Sequence, residues 1–153
     1  MRLVVQRVTR AEVRADGESL GQIDRGAAVL VGIGVADAAE VVDRMADRLL
    51  GLRYFEDPQG RTNLAIDEVG GEYLVVSQFT LLADLRRGRR PGFTDAAPPE
   101  VAEPLVARFV ERLRAAGRRV VTGRFGAEME VELVNDGPFT LVLEAGAESV
   151  GTG

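Results

Sequence analysis

A chain of 153 residues with 19 basic and 24 acidic side chains, net charge −5, is long enough for one core and lacks the basic balance of an indiscriminate nucleic-acid binder. It contains no cysteine and no histidine, and its sequence has no lysine, so every basic residue is arginine. This excludes disulfides, zinc-thiolate sites, thiol nucleophiles, Ser-His-Asp triads, Schiff-base lysines and P-loop lysines, and leaves the chemistry to hydroxyls, carboxylates, backbone amides or the substrate.

The absence of cysteine points to a reducing compartment, and the cytoplasm is expected. No run of apolar residues is long enough to span a bilayer, and the N-terminus enters a strand directly, so neither a membrane segment nor a signal peptide is expected. Met1 to Thr9 reads as a strand, Ala11 to Ala15 as a second, and Asp16-Gly17-Glu18-Ser19 as the hairpin turn before Leu20 to Asp24. Gly26 to Gly34, GAAVLVGIG, is a continuous apolar run of strand length, the pattern of a central strand covered on both faces. Its Gly32-Ile33-Gly34 is not a dinucleotide loop, because the third glycine position holds Asp37.

Asp37 with Glu40 resembles a capping box, and Val41, Val42, Met45, Leu49 and Leu52 then recur at helical spacing. Asp57-Pro58-Gln59-Gly60 predicts a turn, Asn63 to Ile66 a short strand, and Gly70-Gly71 another turn. Glu72 to Leu82 predicts the next strand. A second helix is predicted from about Pro99 to Ala116, with Val101, Leu105, Phe109 and Leu113 on one face and Gly117 as its stop. Arg119 to Thr122, Ala127 to Val134 and Phe139 to Glu144 complete the strands, the last two separated by Asn135-Asp136-Gly137-Pro138. Two helices cannot cover so many strands unless the sheet curls on itself, so the expected class is α+β: a strongly curved, barrel-like, antiparallel-rich sheet with two packing helices. A single domain over 1–145 and a disordered tail over 146–153 are expected.

Two stretches carry chemistry. In Ser77-Gln78-Phe79-Thr80-Leu81, regular alternation would put Ser77 and Phe79 on one face and Gln78 and Thr80 on the other, so the hydroxyls would not converge. A threonine with no histidine or lysine in the chain is a poor nucleophile, and the plainer reading is that both hydroxyls satisfy backbone groups. Gly137-Pro138 interrupts an alternating run; proline fixes φ, an X-Pro bond is the one peptide for which cis is inexpensive, and glycine permits close approach. From pattern alone this is a tight turn between two strands.

Together, SQFTL at 77–81 and NDGPFT at 135–140 resemble the D-aminoacyl-tRNA deacylase family, and Gln6-Arg7-Val8, Asn63-Leu64, Arg90-Pro91, Phe93, Gly123-Arg124-Phe125 and Met129 extend the resemblance over almost the whole chain. Phe139 stands where that family usually carries valine. The resemblance implies the same fold, a homodimer, and hydrolysis of D-aminoacyl-tRNA, with glycyl-tRNA also accepted, in which the terminal 2′-hydroxyl of the RNA assists. It implies that backbone N–H groups of Ser77, Gln78, Phe79 and Thr80 support the reacting carbonyl, that Gly137 and Pro138 form a cis peptide acting across the dimer as a chiral filter, that Arg7 braces them, and that Phe125 and Met129 hold the terminal adenine.

Read from the residues alone, Arg7 is equally a surface arginine, and Met129 an ordinary half-buried strand residue. Arg86, Arg87, Arg89 and Arg90 form the densest positive charge of the chain; such a run is commonly a solvated loop, and beside an RNA site it is a grip for phosphates. Glu128, Glu130 and Glu132 read as a solvated strand face, and no metal or other cofactor is implied. tRNA is the expected partner, with no membrane and no DNA. Two rival readings are a non-catalytic binder of D-amino acids or aminoacyl ends, and a purely structural dimer.

Overall fold

The computed structural model describes residues 1–145, so the expectation for 146–153 falls outside the described part. β1 (Arg2–Ala15) is one long strand where two were predicted, and everything else is hung from it. Along one side it pairs antiparallel with β2 (Glu18–Ile23) and β3 (Gly26–Gly32), and along the other with β8 (Glu130–Glu144). β3 then pairs in parallel with β6 (Glu72–Ser77), and β6 in parallel with β7 (Val120–Thr122). Arg119 Nη1 donates to Gln22 O at 3.0 Å across the remaining gap between β7 and β2. The sheet is therefore nearly closed and barrel-like, as expected, but mixed rather than uniformly antiparallel.

The parallel pairing of β3 with β6 requires a crossover, which is supplied by α1 (Ala39–Gly51) and the small ladder β4 (Arg53–Glu56) with β5 (Thr62–Ala65). α1 and α2 (Pro99–Ala115) cover one face of the sheet, burying Val42, Met45, Leu49, Phe109 and Leu113 against Leu3, Val5, Val29, Val31 and Val75. The opposite face buries Val8, Ala11, Val13, Ile23, Ala28, Leu74 and Val76 in a second cluster. β3 and β6 thus contribute alternate residues to both clusters, which is why 26–34 reads as an uninterrupted apolar run. On the solvent side the helices are joined by paired contacts one turn apart, Arg108 to Asp43 and Arg112 to Asp47, both bidentate. No helix among the described residues is long and apolar enough to cross a membrane.

Four local expectations are corrected. Asp37 does not cap α1, whose N-cap is Ala38 without a side-chain bond; its Oδ2 instead accepts from Gly34 N at 2.6 Å and meets the Met1 ammonium at 2.5 Å. The strand predicted to Leu82 stops at Ser77, and Phe79–Leu82 forms a 3-10 turn. The run from 127 to 144 is not two strands joined by a turn, because both halves of β8 pair with the same strand β1 and the chain keeps its direction through Gly137-Pro138. Residue 101 of the predicted helix face is exposed, and Ala102 and Val110 are buried instead.

Candidate active site

The first motif is a strand that ends in a turn. Gln78 N still donates to Val31 O at 2.7 Å, continuing the β3–β6 ladder, but Gln78 itself has φ −147° and ψ 86°, and the chain then coils. Leu81 N donates to Gln78 O at 3.3 Å and Ala83 N to Thr80 O at 3.1 Å, so the amides of Phe79 and Thr80 precede the first bond of the turn and are the donors a helical start leaves free. Arg2 Nη1 holds the far end through Leu81 O at 2.6 Å. The turn lies directly on β3: a Cβ at Gly32 would meet Leu81 Cβ at 3.0 Å and Gln78 O at 3.1 Å, a close approach only glycine permits.

This bend re-aims the motif away from the alternation expected of it. Ser77, Gln78 and Phe79 line a cavity of about 500 Å³, together with Phe125 and Met129. Its other walls are Val31, Ile33, Ala96, Ala97 and the first turns of α2. Ala97 N donates to Ile33 O at 2.9 Å, and the Gly34–Ala96 bridge ties that wall to the end of β3. Thr80 is exposed, is not among the cavity-lining residues, and its hydroxyl accepts from the Gln78 side-chain amide. Accepting that bond does nothing to remove the hydroxyl proton. Met129 curls over Gly123, where an added Cβ would meet its sulfur at 2.5 Å, and its sulfur accepts from Arg124 N at 3.4 Å.

Among the described residues that line the cavity, none carries a titratable side chain. The only tyrosines, Tyr54 and Tyr73, are fully buried in the core, and that burial pushes both phenols well above their ordinary value. Glu132 on the strand face is engaged by Arg10 at 2.7 Å and Arg14 at 3.2 Å, and the Arg10 guanidinium first and Arg14 second hold its carboxyl below the usual range.

The second motif is built around a buried cation. Asp136, Gly137, Pro138 and Phe139 all stand opposite Arg7 alone, because Asn135 pairs with Val8 and Thr140 with Gln6. The four residues bulge out of β8 as a loop whose Gly137-Pro138 peptide is cis and whose tip is exposed. Asn135 Nδ2 closes the loop by donating to Arg7 O at 2.8 Å and Phe139 O at 2.9 Å. Arg7 is 5% exposed and is the buried charged residue of the described chain. Its Nε donates to Asp136 O at 3.1 Å, its Nη1 to Tyr54 O at 2.8 Å, and its guanidinium lies 4.7 Å from the Phe139 ring centre. The reading of Arg7 as a surface arginine is therefore wrong. Its signal was present, since Leu3, Val5 and Arg7 share one face of β1.

Within one chain the two motifs do not meet. The cavity is lined by neither Gly137 nor Pro138, and the loop lies on β8 beside Arg7. The arginine loop is a third feature: Asp84 and Gly92 exchange both backbone bonds, at 2.7 and 3.0 Å, and so close the neck of residues 85–91. Arg86, Arg87, Arg89 and Arg90 are exposed on it. Arg86 is tied bidentate to Asp84 at 2.8 and 3.0 Å, and its guanidinium holds that carboxyl down at about 2. The other three make no ion pair among the described residues.

Arg2, Gly32, Phe93 and Asn135 were not singled out by role from the sequence. Asn135 sat in plain view within NDGP, whereas nothing local in the sequence announces that Arg2 reaches Leu81.

The profile of the D-Tyr-tRNA(Tyr) deacylase family matches residues 4–144. A D-aminoacyl-tRNA deacylase of Symbiobacterium thermophilum is 57% identical over 145 residues, covering 95% of this chain and 96% of that protein. One from Thermotoga petrophila is 52% identical, covering 95% and 97%. Among solved structures, a c-Myc DNA unwinding element binding protein superposes with a TM-score of 0.90 at 42% identity, over 96% of this chain and 100% of that one. A probable eukaryotic D-amino acid tRNA deacylase superposes with a TM-score of 0.81 at 20% identity, over 93% and 97%, a likeness of fold.

Proposed function

The chain belongs to the D-Tyr-tRNA(Tyr) deacylase family, and from that premise we propose how its own residues hydrolyse D-aminoacyl-tRNA to free D-amino acid and tRNA. The observation that carries the reading is the cavity itself: about 500 Å³, walled largely by apolar residues, lined along one side by Ser77, Gln78 and Phe79, and without imidazole, thiol or amine. Such a site binds and orients; it does not supply a proton acceptor. The terminal adenosine occupies the space between Phe125 and Met129, and the ester lies against the 77–80 main chain.

Water attacks the ester carbonyl, assisted by the vicinal 2′-hydroxyl of the terminal ribose. The carbonyl oxygen gains negative charge and accepts hydrogen bonds from the free amides at the start of the 79–82 turn, a contribution that needs no titratable side chain. The 3′-oxygen then leaves with a proton, giving tRNA and the amino acid. Ser77 and Gln78 shape the wall rather than react.

Chirality is read by a second copy of the chain. Gly137 and Pro138 lie far enough round the fold to be absent from the cavity of their own chain, and their exposed position suits insertion into the cavity of a two-fold partner. Their carbonyls receive the α-ammonium, and an L side chain would collide with this main chain while a D side chain points to solvent. Glycine has nothing to collide, so glycyl-tRNA is also a substrate. Rejection by a wall of backbone is harsher than by apolar fit, which is worth only ~1–3 kcal/mol per methylene. Arg86, Arg87, Arg89 and Arg90 grip phosphates of the RNA, and the protein acts in the cytoplasm, where charged tRNA is found.

The test is direct. tRNA charged with labelled D-tyrosine is mixed with substoichiometric protein and acid-precipitable label is followed. Catalytic loss of label, with L-tyrosyl-tRNA spared, is the expected outcome; protection of the ester would instead mark a binder, and no change a structural protein.

A further inference from the structure

Phe79 is 57% exposed and Phe93 38%, an unusual pair to leave in water, and their rings meet edge to face at 5.1 Å between centres and 68° between planes. Both lie at the cavity wall. Neither belongs to the two buried clusters of the core. Phe79 opens the 3-10 turn, and Phe93 follows Gly92, the residue that closes the neck of the arginine loop against Asp84. The pair therefore joins the pocket to the cationic loop, one ring rooted in each.

Because both rings line the cavity and Phe93 stands one residue beyond the neck of the arginine loop, a nucleic acid whose last nucleoside sits in the cavity and whose phosphates reach Arg87, Arg89 and Arg90 can lay a base on them as it crosses between the two. Single-stranded RNA offsets the cost of such a crossing by stacking bases on aromatic faces, and stacking is tolerant of base identity. We propose that Phe93, braced edge-on by Phe79, is a stacking platform for the base of the nucleotide that precedes the terminal adenosine. The occupant is a nucleobase rather than an apolar peptide because the surface is continuous with a loop carrying four arginines, the densest positive charge of an acidic chain. Edge-on support by Phe79 keeps the Phe93 ring from rotating while leaving a face open. Nothing in this role touches the ester, so Phe93 is a binding residue and its effect belongs to KM.

The inference rests on the deacylase reading, and the experiment separates the two. Wild-type protein, Phe93→Leu and Phe93→Tyr are each given 3′-O-(D-tyrosyl)adenosine and the D-tyrosyl ester of the tRNA 3′-terminal trinucleotide, and kcat/KM is measured for both. The ratio of trinucleotide to nucleoside kcat/KM should fall roughly 5- to 150-fold in Phe93→Leu, the range of one base-aromatic stack. The fall should appear in KM, and Phe93→Tyr should restore the ratio. An unchanged ratio overturns the platform, whether both substrates lose rate together, as for a ring that merely shapes the cavity, or neither does. A ratio that falls only because sedimentation shows the assembly dissociating also overturns it, since the ring would then be covered by a second copy. If the wild-type protein cleaves neither ester, the deacylase reading fails and the platform with it; if it cleaves both and the variants match it, the platform alone fails.

Discussion

Between Ser77 and Leu82 the chain is held almost wholly by main-chain bonds: a ladder bond from Gln78 to Val31, the turn's own hydrogen bonds, and close packing on Gly32. Between Asp136 and Phe139 it is held by one side chain, the buried Arg7, with Asn135 closing the loop behind it. The difference has a physical consequence. A turn fixed by backbone tolerates loss of its side chains, and its amides stay in place. A loop fixed by a buried guanidinium fails when that group goes, because carbonyls that had a charged donor are left without one.

The largest expected effect is therefore at Arg7. Arg7→Met keeps most of the volume and removes donors from Asp136 O and Tyr54 O, so urea denaturation should show a loss of about 2–4 kcal/mol. D-aminoacyl-tRNA turnover should fall with it. A midpoint indistinguishable from wild type would mean that the loop is held by its backbone like the other motif, and the contrast between the two regions would disappear.

Next is Gly137, at φ +132°, where a Cβ would lie 3.1 Å from Arg7 Nη2 and 3.3 Å from Phe139 Cβ. L side chains rarely adopt that backbone, at a cost of order 1–3 kcal/mol. Gly137→Ala should lower the melting temperature less than Arg7→Met. Its deacylation rate should fall by roughly 100-fold, the effect of displacing a positioning group by an ångström. Melting curves alongside D- and L-tyrosyl-tRNA assays check this, and a rate like wild type would sever the loop from the chemistry.

How much of this was legible follows the same divide. The apolar run at 26–34, the helical spacing from Val42 to Leu49, and Pro99 with Gly117 around α2 are local signals, and each appears as an element at that place. The end of β6 was not legible, because Phe79-Thr80-Leu81-Leu82 is largely apolar like a strand, and the contacts that accompany its turn, the packing on Gly32 and the Arg2 bond to Leu81 O, come from far away in the sequence. Asp37 looked like a cap because one of its competing partners, the Met1 ammonium, comes from the distant chain start, while the other, Gly34 N, lies just before it and turns it back from the helix. The parallel partnership of β3 with β6 carries no sequence signature of its own. Arg7 was half legible: alternation put it on the buried face, but its partners lie at 54 and 136, and no local pattern names them.

The arginine loop should give a moderate effect that depends on salt. Arg87→Ala with Arg89→Ala should weaken tRNA binding and reduce the slope of log K against log salt by about 0.7–0.9 for each phosphate no longer neutralised. Arg86→Ala should do less, since Arg86 is already paired with Asp84. That carboxyl, held at about 2, stays ionised at any pH at which the protein works, so the pairing does not switch with pH. Asp84→Asn should then free Arg86 and steepen the slope. Filter binding across a salt series reads all three variants, and a slope unmoved by the double change would make the loop merely solvated.

The smallest effect is expected at the residues that most look catalytic. Thr80 is exposed and off the cavity wall, and among the described residues its hydroxyl is bonded only to the neighbouring Gln78 side-chain amide, which donates to it and leaves its proton in place. Ser77 lines the cavity without a basic partner among the described residues. A positioned general acid or base contributes roughly 10²- to 10⁴-fold, so removing a true one could not pass unnoticed. Thr80→Ala and Ser77→Ala should each keep kcat within a few-fold of wild type, because the amides of Phe79 and Thr80 survive both changes. Single-turnover deacylation with mass spectrometry of the quenched protein decides it. A loss of roughly 100-fold, or an aminoacyl adduct on Thr80, would place side-chain chemistry in the turn and make the two regions alike in depending on single side chains.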